Sequence, residues 1–530
     1  MPGFDLNLFA QTVERIRAKA IAEKRLLHNP PDNILEKITE KEDGVKRTKY
    51  GSLVAYGEPT SRAQAFTKNS VDDKFGKVEV ALLKQCEEIL SKKKLISIDR
   101  IVGNYNSGVV VRVTVPEEFA HTVFGGGKLF VDVKGEVKQP NYEIIFFKDD
   151  NFESNKTKPL AEKDITIRLA MLPNGRVIKI VRNGNYIGEF KKGVFAAEDW
   201  AAKTYRGGIF LHAGCREDYL QSVRGEYRTT RSLLCALSAN GKTTTSSKIL
   251  ARKGKEKSWL VQDDGGTLMP DGSFHGFEQG GIFVKTENVN PGDQFEIYYG
   301  LLRPGTFCEN VFVTKDGDYD FYNLEGTANG RAVVQRRDFL HTSAYIDVDR
   351  VDNLILITRG PIIPAIAKLT MAQAVAFMIL GQAMESSAGD PSAAGTIHSE
   401  FFYDPFVAGN KAEHANRLYD ILKGLPNMRF YLLNTGGIGE GERYLDIKLE
   451  HTISILDSLF RGGLEDWMES VGGLEVPAAV RMVDDIYFHP EIMYPRAVFD
   501  AKMATLNAFR KKAIQAVGSG LYPEIKKVFA

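Results

Sequence analysis

Cysteine is scarce: Cys86, Cys215, Cys235 and Cys308 stand far apart in a chain of 530 residues. No C-x-x-C pair occurs, so neither a zinc ribbon nor a disulfide framework is indicated, and the usage is that of a reducing compartment. A long hydrophobic run is also missing. The longest, around Ala374 to Leu380, falls well short of the ~20 residues a membrane span needs. Neither sign of charge dominates, since 69 Lys and Arg face 68 Asp and Glu. A nucleic-acid-binding protein usually shows a basic stripe. Here the signs are interspersed, which disfavours that role and leaves room for a local phosphate pocket. The amino terminus, Met1 to Leu27, alternates charged with apolar residues and has no apolar core of a signal peptide. The expectation is a soluble, cytoplasmic protein with neither a membrane nor a nucleic acid as partner.

What is present is an ordinary globular composition, 43% hydrophobic, 26% charged and 10% aromatic. At roughly 150 residues per domain, the length predicts about three domains or two large ones. Phe9, Val13, Ile16 and Ala20 recur at helical spacing and predict a helix over 5–27, stopped by Pro30 and Pro31. From about 95 to 190 the chain reads as strands, at Val109–Val115, Lys128–Val133 and Tyr142–Phe147. Gly125-Gly126-Gly127 and Pro173-Asn174-Gly175 read as turns between them. From about 205 short apolar strands alternate with Gly- and charge-rich turns. After about 365 helices dominate, with one strand at Arg429–Leu433. The natural cut gives an amino-terminal domain over 1–207 and a carboxyl-terminal domain over 208–530. The small, polar stretch at about 385–396 reads as a surface loop or a mobile lid.

The strongest local motif is Ala236-Leu237-Ser238-Ala239-Asn240-Gly241-Lys242-Thr243-Thr244. It follows an apolar strand and leads into a helix start at Thr245–Leu250, the context a phosphate-binding loop requires. Backbone N–H groups from Ser238 to Thr244 would wrap phosphates, Lys242 would reach the β and γ positions, and Thr243 would ligate their metal ion. Ala236 takes the place of the first glycine. Asp263-Asp264 follows the strand Trp259–Val261, and two carboxylates there suit a divalent cation on phosphates. Gly188-Glu189-Phe190-Lys191-Lys192-Gly193 reads by itself as a solvated basic turn, and His212, after the strand at 208–211, as structural or metal-ligating.

Taken in order, these segments resemble the ATP-dependent phosphoenolpyruvate carboxykinases. The likeness runs from about Tyr186 to Thr452, with weaker traces from Gly57. It rests on Tyr-x-Gly-Glu-x-Lys-Lys-Gly at 186–193, His212, the Gly-Lys-Thr-Thr loop, Asp263-Asp264 and Phe277–Thr286. Glu309-Asn310-Val311 and Asn434-Thr435-Gly436 through Arg443 continue it. The resemblance implies a two-domain α/β fold, a mixed amino-terminal substrate-binding domain and a carboxyl-terminal mononucleotide-binding domain with a P-loop. It implies Mn²⁺ held by Lys192, His212 and Asp264, and Mg²⁺ on the phosphates at Thr243 with Asp263 in support. A ligand lysine must be neutral, so a depressed pKa is expected for Lys192, favoured by the metal and by Lys191. Lys242 and Lys285 fall where charge on the phosphoryl is neutralised, and Arg443 and Thr452 at the nucleoside. Arg331, Arg62 and Tyr186 fall at the substrate. The implied reaction converts oxaloacetate and ATP to phosphoenolpyruvate, CO₂ and ADP, reversibly.

The chain also departs from the family. The ATP branch carries Gly-Leu-Ser-Gly-Thr-Gly-Lys-Thr, and its substrate loop Thr-Gly-Arg-Ser-Pro-Lys-Asp-Lys is here Thr60-Ser61-Arg62-Ala63-Gln64-Ala65-Phe66. Gly360-Pro361-Ile362-Ile363-Pro364-Ala365 replaces Asp-Ala-Phe-Gly-Val-Leu-Pro-Pro. The phosphoryl-transfer parts are better kept than the carboxylate-recognition parts. Two alternatives therefore stay open: a metal-dependent phosphotransferase with another phosphoryl donor or small anionic acceptor, and a nucleotide-binding regulatory protein without turnover.

Overall fold

The computed structural model describes residues 4–57, 66–149, 165–237, 240–325, 329–384, 396–405 and 407–529. Arg62, Ser238, Ala239 and nearly all of the expected lid at 385–396 lie outside them. The chain divides into two compact units, Met1–Tyr205 with Phe277–Leu340, and Arg206–Gly276 with His341–Ala530. A single cut at 207/208 therefore misplaces 277–340, which returns to the first unit.

The first unit is built on an eight-stranded mixed sheet. Its main path runs Leu26–His28, Leu95–Val102, Val109–Pro116, Tyr142–Phe147, Val177–Arg182, Thr166–Met171, Thr67–Asn69. Every residue of Leu95–Val102, Tyr142–Phe147 and Val177–Arg182 is buried, and charged members such as Asp99 and Lys179 are paired, with Arg112 and Glu189 at 2.7 Å. The helices Asn7–Ala22 and Lys77–Leu90 cover one face through Phe9, Val13, Ile16, Leu82 and Cys86. The first helix ends at Ala22, short of the expected 27, because Leu26–His28 pairs in parallel with Leu95–Ser97.

Gly125-Gly126-Gly127 closes the helix Ala120–Gly127 and is not a turn. A Cβ on Gly125 would sit 2.3 Å from the Phe307 ring, and one on Gly126 2.6 Å from Phe190. The glycines allow close packing, and the expected strand at 128–133 shrinks to Val131–Asp132. A second, five-stranded sheet of this unit has the order Gly281–Lys285, Arg331–Gln335, Phe307–Glu309, Leu53–Ala55, Lys46–Arg47.

The second unit carries an eight-stranded sheet whose centre is a parallel trio, Tyr227–Cys235, Asn353–Thr358 and Arg429–Asn434. Both its faces are covered. One core holds Leu233, Leu354, Leu356 and the helices Met371–Leu380 and Lys411–Lys423, the other Leu234, Ile355, Ile357 and the helix Leu449–Phe460. The region after 365 is richer in strand than expected, with Ile366–Leu369, Trp467–Glu469 and Glu475–Pro477 joining this sheet. No helix among the described residues is long and apolar enough to cross a membrane.

Candidate active site

In the second unit the carboxyl ends of the three parallel strands lie together, the place where open α/β sheets bind ligands. Tyr227–Cys235 leads into the Lys242 loop, Asn353–Thr358 into Arg359, and Arg429–Asn434 into Thr435. The Thr435 hydroxyl donates to the Asn240 carbonyl at 3.0 Å, and Arg359 Nε lies 3.5 Å from Thr435 Oγ1.

Gly241 has φ +86°, a left-handed conformation that glycine adopts without strain, and it starts the helix Lys242–Ser247. That helix begins earlier than the expected 245–250 and stops sooner, because Lys248 is extended. Arg216, buried on the neighbouring strand Ala213–Gln221, donates from Nη1 to the Thr245 carbonyl at 2.6 Å and from Nη2 to the Lys248 carbonyl at 2.8 Å. Asp218 holds the same guanidinium bidentately at 2.7 Å. This pair anchors the short helix, which is too short to be stable alone.

Lys242 Nζ contacts Asp264 Oδ1, and His212 Nε2 lies 3.0 Å from the same oxygen. His212 Nδ1 in turn faces the Tyr403 carbonyl at 2.9 Å. That carbonyl is aimed by two consecutive left-handed residues, Phe402 and Tyr403, both buried. Asp263 is buried beside Asp264, at the end of the strand Lys257–Gln262. A cavity of about 620 Å³ adjoins the strand ends, with Arg359, Ile362, Gln382, Glu440, Val498 and Lys502 in its lining. Of the two residues assigned to the nucleoside, Arg443 is exposed and donates to the Met493 carbonyl, whereas Thr452 is buried on the helix Leu449–Phe460.

In the first unit, residues 188–193 open the helix Gly188–Ala201 and do not form a solvated turn. The two adjacent lysines part company. Lys191 is buried, paired with Glu278 at 3.0 Å and set over the Phe283 ring. Lys192 Nζ lies 2.8 Å from Glu189 Oε1 and over the Tyr186 ring at 5.2 Å. Glu189 Oε2 accepts from Lys179 at 2.7 Å. Burial opposes the charge on Glu189, yet the two lysines outweigh it and hold its pKa at about 2. Burial likewise acts against the Lys192 ammonium, and Glu189 overrides it, so the Lys192 pKa is raised. The expected depression is therefore absent without a metal ion, and Lys191, engaged with Glu278, is not the group that would cause it.

Lys285, Arg331, Glu309 and Ala55 occupy one rung across four strands of the five-stranded sheet. Burial lowers the Arg331 pKa, but Tyr186, Glu287 and Glu309 more than compensate and raise it. This places Tyr186, Glu287 and Glu309 around one guanidinium. Sequence reasoning finds Lys285, Arg331 and Tyr186. It misses the roles of Arg216, Arg359 and Glu309, whose partners are distant in the chain.

Comparison with known proteins gives the class first. A phosphoenolpyruvate carboxykinase (ATP) of Aeropyrum pernix is 25% identical over 487 residues, 91% of this chain and 93% of its own. The proteins of the same name from Mesorhizobium japonicum and Christiangramia forsetii are 26% and 25% identical, over 78% and 71% of this chain and 75% and 70% of theirs. The profile of the phosphoenolpyruvate carboxykinase family matches residues 41–486, and the chain belongs to that family. It is an enzyme of the carboxykinase class.

Proposed function

We propose that the protein decarboxylates and phosphorylates oxaloacetate with ATP, reversibly, giving phosphoenolpyruvate, CO₂ and ADP. The observation that carries this reading is the meeting of Lys242 and His212 on one oxygen of Asp264, where the phosphate loop and a metal-ligand pair share a carboxylate. The carboxylate there fits Mn²⁺ or Mg²⁺, and the imidazole beside it favours the transition ion of the two. Mn²⁺ would be held by Lys192, His212 and Asp264, and Mg²⁺ by Thr243 with Asp263 near. The bound ion would supply Lewis acidity to the negative charge that develops as CO₂ departs.

The chain's own residues do the remaining work. To become a ligand Lys192 gives up the proton that Glu189 now stabilises at 2.8 Å. Lys242 and Lys285 neutralise charge on the transferring phosphoryl, the larger part of catalysis in such reactions. The main-chain N–H groups of Ser238 to Thr244 would cradle the phosphates, and Arg443 and Thr452 would serve the nucleoside. Arg62 and Arg331 pair with carboxylate or phosphate through the guanidinium fork, and Tyr186 completes the substrate side. The four buried, unbridged cysteines accord with a cytoplasmic setting.

A coupled assay with Mn²⁺ and Mg²⁺ tests the reading. Oxaloacetate is supplied with ATP, GTP or pyrophosphate in parallel, and phosphoenolpyruvate is followed. Product with ATP alone is expected. Product only with another donor, or none while ATP still binds, overturns the assignment in favour of a different phosphotransferase or a regulatory role.

A further inference from the structure

The peptide groups on either side of Tyr186 are both held by buried ionisable side chains from other elements. The Asn185 carbonyl accepts from His121 Nε2 at 2.7 Å and from the Thr122 hydroxyl at 3.3 Å. The Ile187 N–H donates to Glu309 Oε1 at 3.0 Å. His121 comes from the helix Ala120–Gly127 and Glu309 from the strand Phe307–Glu309. Neither is more than 2% exposed.

His121 is itself fixed. Its Nδ1 lies 2.6 Å from Glu42 Oε2, and its own backbone N–H donates to Glu42 Oε1 at 2.6 Å. Both ring nitrogens face acceptors, so the ring donates on both sides as an imidazolium. Hydrogen bonds from a charged donor are roughly twice as strong as neutral ones. At the other peptide, Glu309 satisfies an N–H at the amino end of the helix Gly188–Ala201, where such groups have no partner within the helix. A carboxylate there is also favoured by the helix dipole.

The same carboxylate shapes the chain at Gly57. A Cβ on Gly57 would lie 3.2 Å from Glu309 Oε1, and the Gly57 N–H donates to Asn310 Oδ1 at 2.9 Å. Glu309 Oε2 makes no hydrogen bond among the described residues.

We propose that Glu42, His121 and Glu309 are positioning residues: a clamp on the 185–187 backbone that sets the Tyr186 ring and the start of the helix bearing Lys192. The inference rests on the carboxykinase reading, which places Tyr186 and Lys192 at the substrate. The clamp acts through the main chain and touches no reacting atom. Its effect falls on recognition of the four-carbon acid and not on nucleotide.

The test compares variants that remove a hydrogen bond with variants that restore it. His121→Phe keeps a ring without a donor, and Glu309→Met keeps length without an acceptor. His121→Gln and Glu309→Gln keep one of each. In the oxaloacetate and ATP assay, kcat/KM for oxaloacetate is expected to fall about 10- to 100-fold in the first two. KM for ATP should stay within about twofold, and the glutamine variants should recover most of the loss. Unchanged kcat and KM per folded molecule, with only a lower melting temperature, would overturn the clamp. If His121→Phe does not fold, Glu309→Met decides alone. If the wild type makes no phosphoenolpyruvate, the carboxykinase reading fails, and the crystal structure of Glu309→Met or His121→Phe then judges the clamp. A Tyr186 hydroxyl displaced by more than about 1 Å upholds it, since such a shift disables a positioned group; one left in place refutes it.

Discussion

His212 Nε2 lies 3.0 Å from Asp264 Oδ1, the same oxygen that Lys242 contacts. Two groups with different tasks in the proposed reaction thus share one acceptor when no ion is present. His212→Gln and Asp264→Asn should each weaken Mn²⁺ binding by at least about tenfold, as changes near a metal do. Electron paramagnetic resonance of free Mn²⁺ measures this without turnover. Binding of Mn²⁺ at wild-type strength in both variants would remove them from the metal site.

Arg216 makes the prediction for the phosphate loop. Its guanidinium bridges Asp218 and the carbonyls of Thr245 and Lys248, with all partners buried. Arg216→Met leaves Asp218 as an uncompensated buried charge and should cost about 3–5 kcal/mol. Replacing Asp218 by Asn at the same time should return part of that loss. Urea denaturation with both single variants and the double variant reads the coupling. Additive losses would show that the two residues do not act as a unit.

The clearest elements in the sequence were those with a local pattern. Gly241-Lys242 sits between strand and helix and Asp263-Asp264 follows a short apolar strand downstream of it, so their order marks them as candidates. Position leaves His212 open between a structural and a metal-ligating reading. Lys191 and Lys192 cannot be separated by pattern, because adjacent lysines look alike until one meets Glu278 and the other Glu189. The three glycines at 125–127 read as a turn because their need for space arises from Phe307, Phe190 and Ile98, far away in the chain. The return of 277–340 to the first unit is invisible for the same reason: it depends on strand pairing, as between Phe307–Glu309 and Leu53–Ala55. His121 and Arg216 belong to no short motif, and Glu309-Asn310-Val311 marks the family without showing what Glu309 holds. Their partners are supplied by tertiary structure.

Gly126 turns that lesson into a measurement. A Cβ there would stand 2.6 Å from Phe190 Cδ1, inside a fully buried helix. Phe190 lies in the helix that carries Lys192, so an added methyl pushes on the site as well as on the core. Gly126→Ala should destabilise by about 1–3 kcal/mol, the usual result of overpacking. Gly520→Ala, whose Cβ would meet only Ala412 at an ordinary 3.7 Å on an exposed turn, is the control and should change stability by about 0.5 kcal/mol or less. Equal melting temperatures for the two variants would show that the Gly126 contact gives way freely.

Glu309 predicts a pH dependence with a definite sign. Burial raises its pKa to about 7, although His121, Ile187, Arg331 and Lys192 all pull the other way. The folded protein therefore holds a proton on Glu309 more tightly than the unfolded chain, whose glutamates titrate near 4.3. The stability this contributes is complete below the unfolded value and is lost as pH rises through about 7. A shift of this size corresponds to roughly 4 kcal/mol. Glu309→Gln cannot titrate and keeps the acceptor for the Ile187 N–H. Its stability relative to wild type should therefore improve steadily between pH 4.5 and 7 and level off above. Denaturation midpoints of the two proteins across that range give the difference directly. Parallel curves would mean that Glu309 is ionised throughout, with its charge compensated by His121 and Arg331.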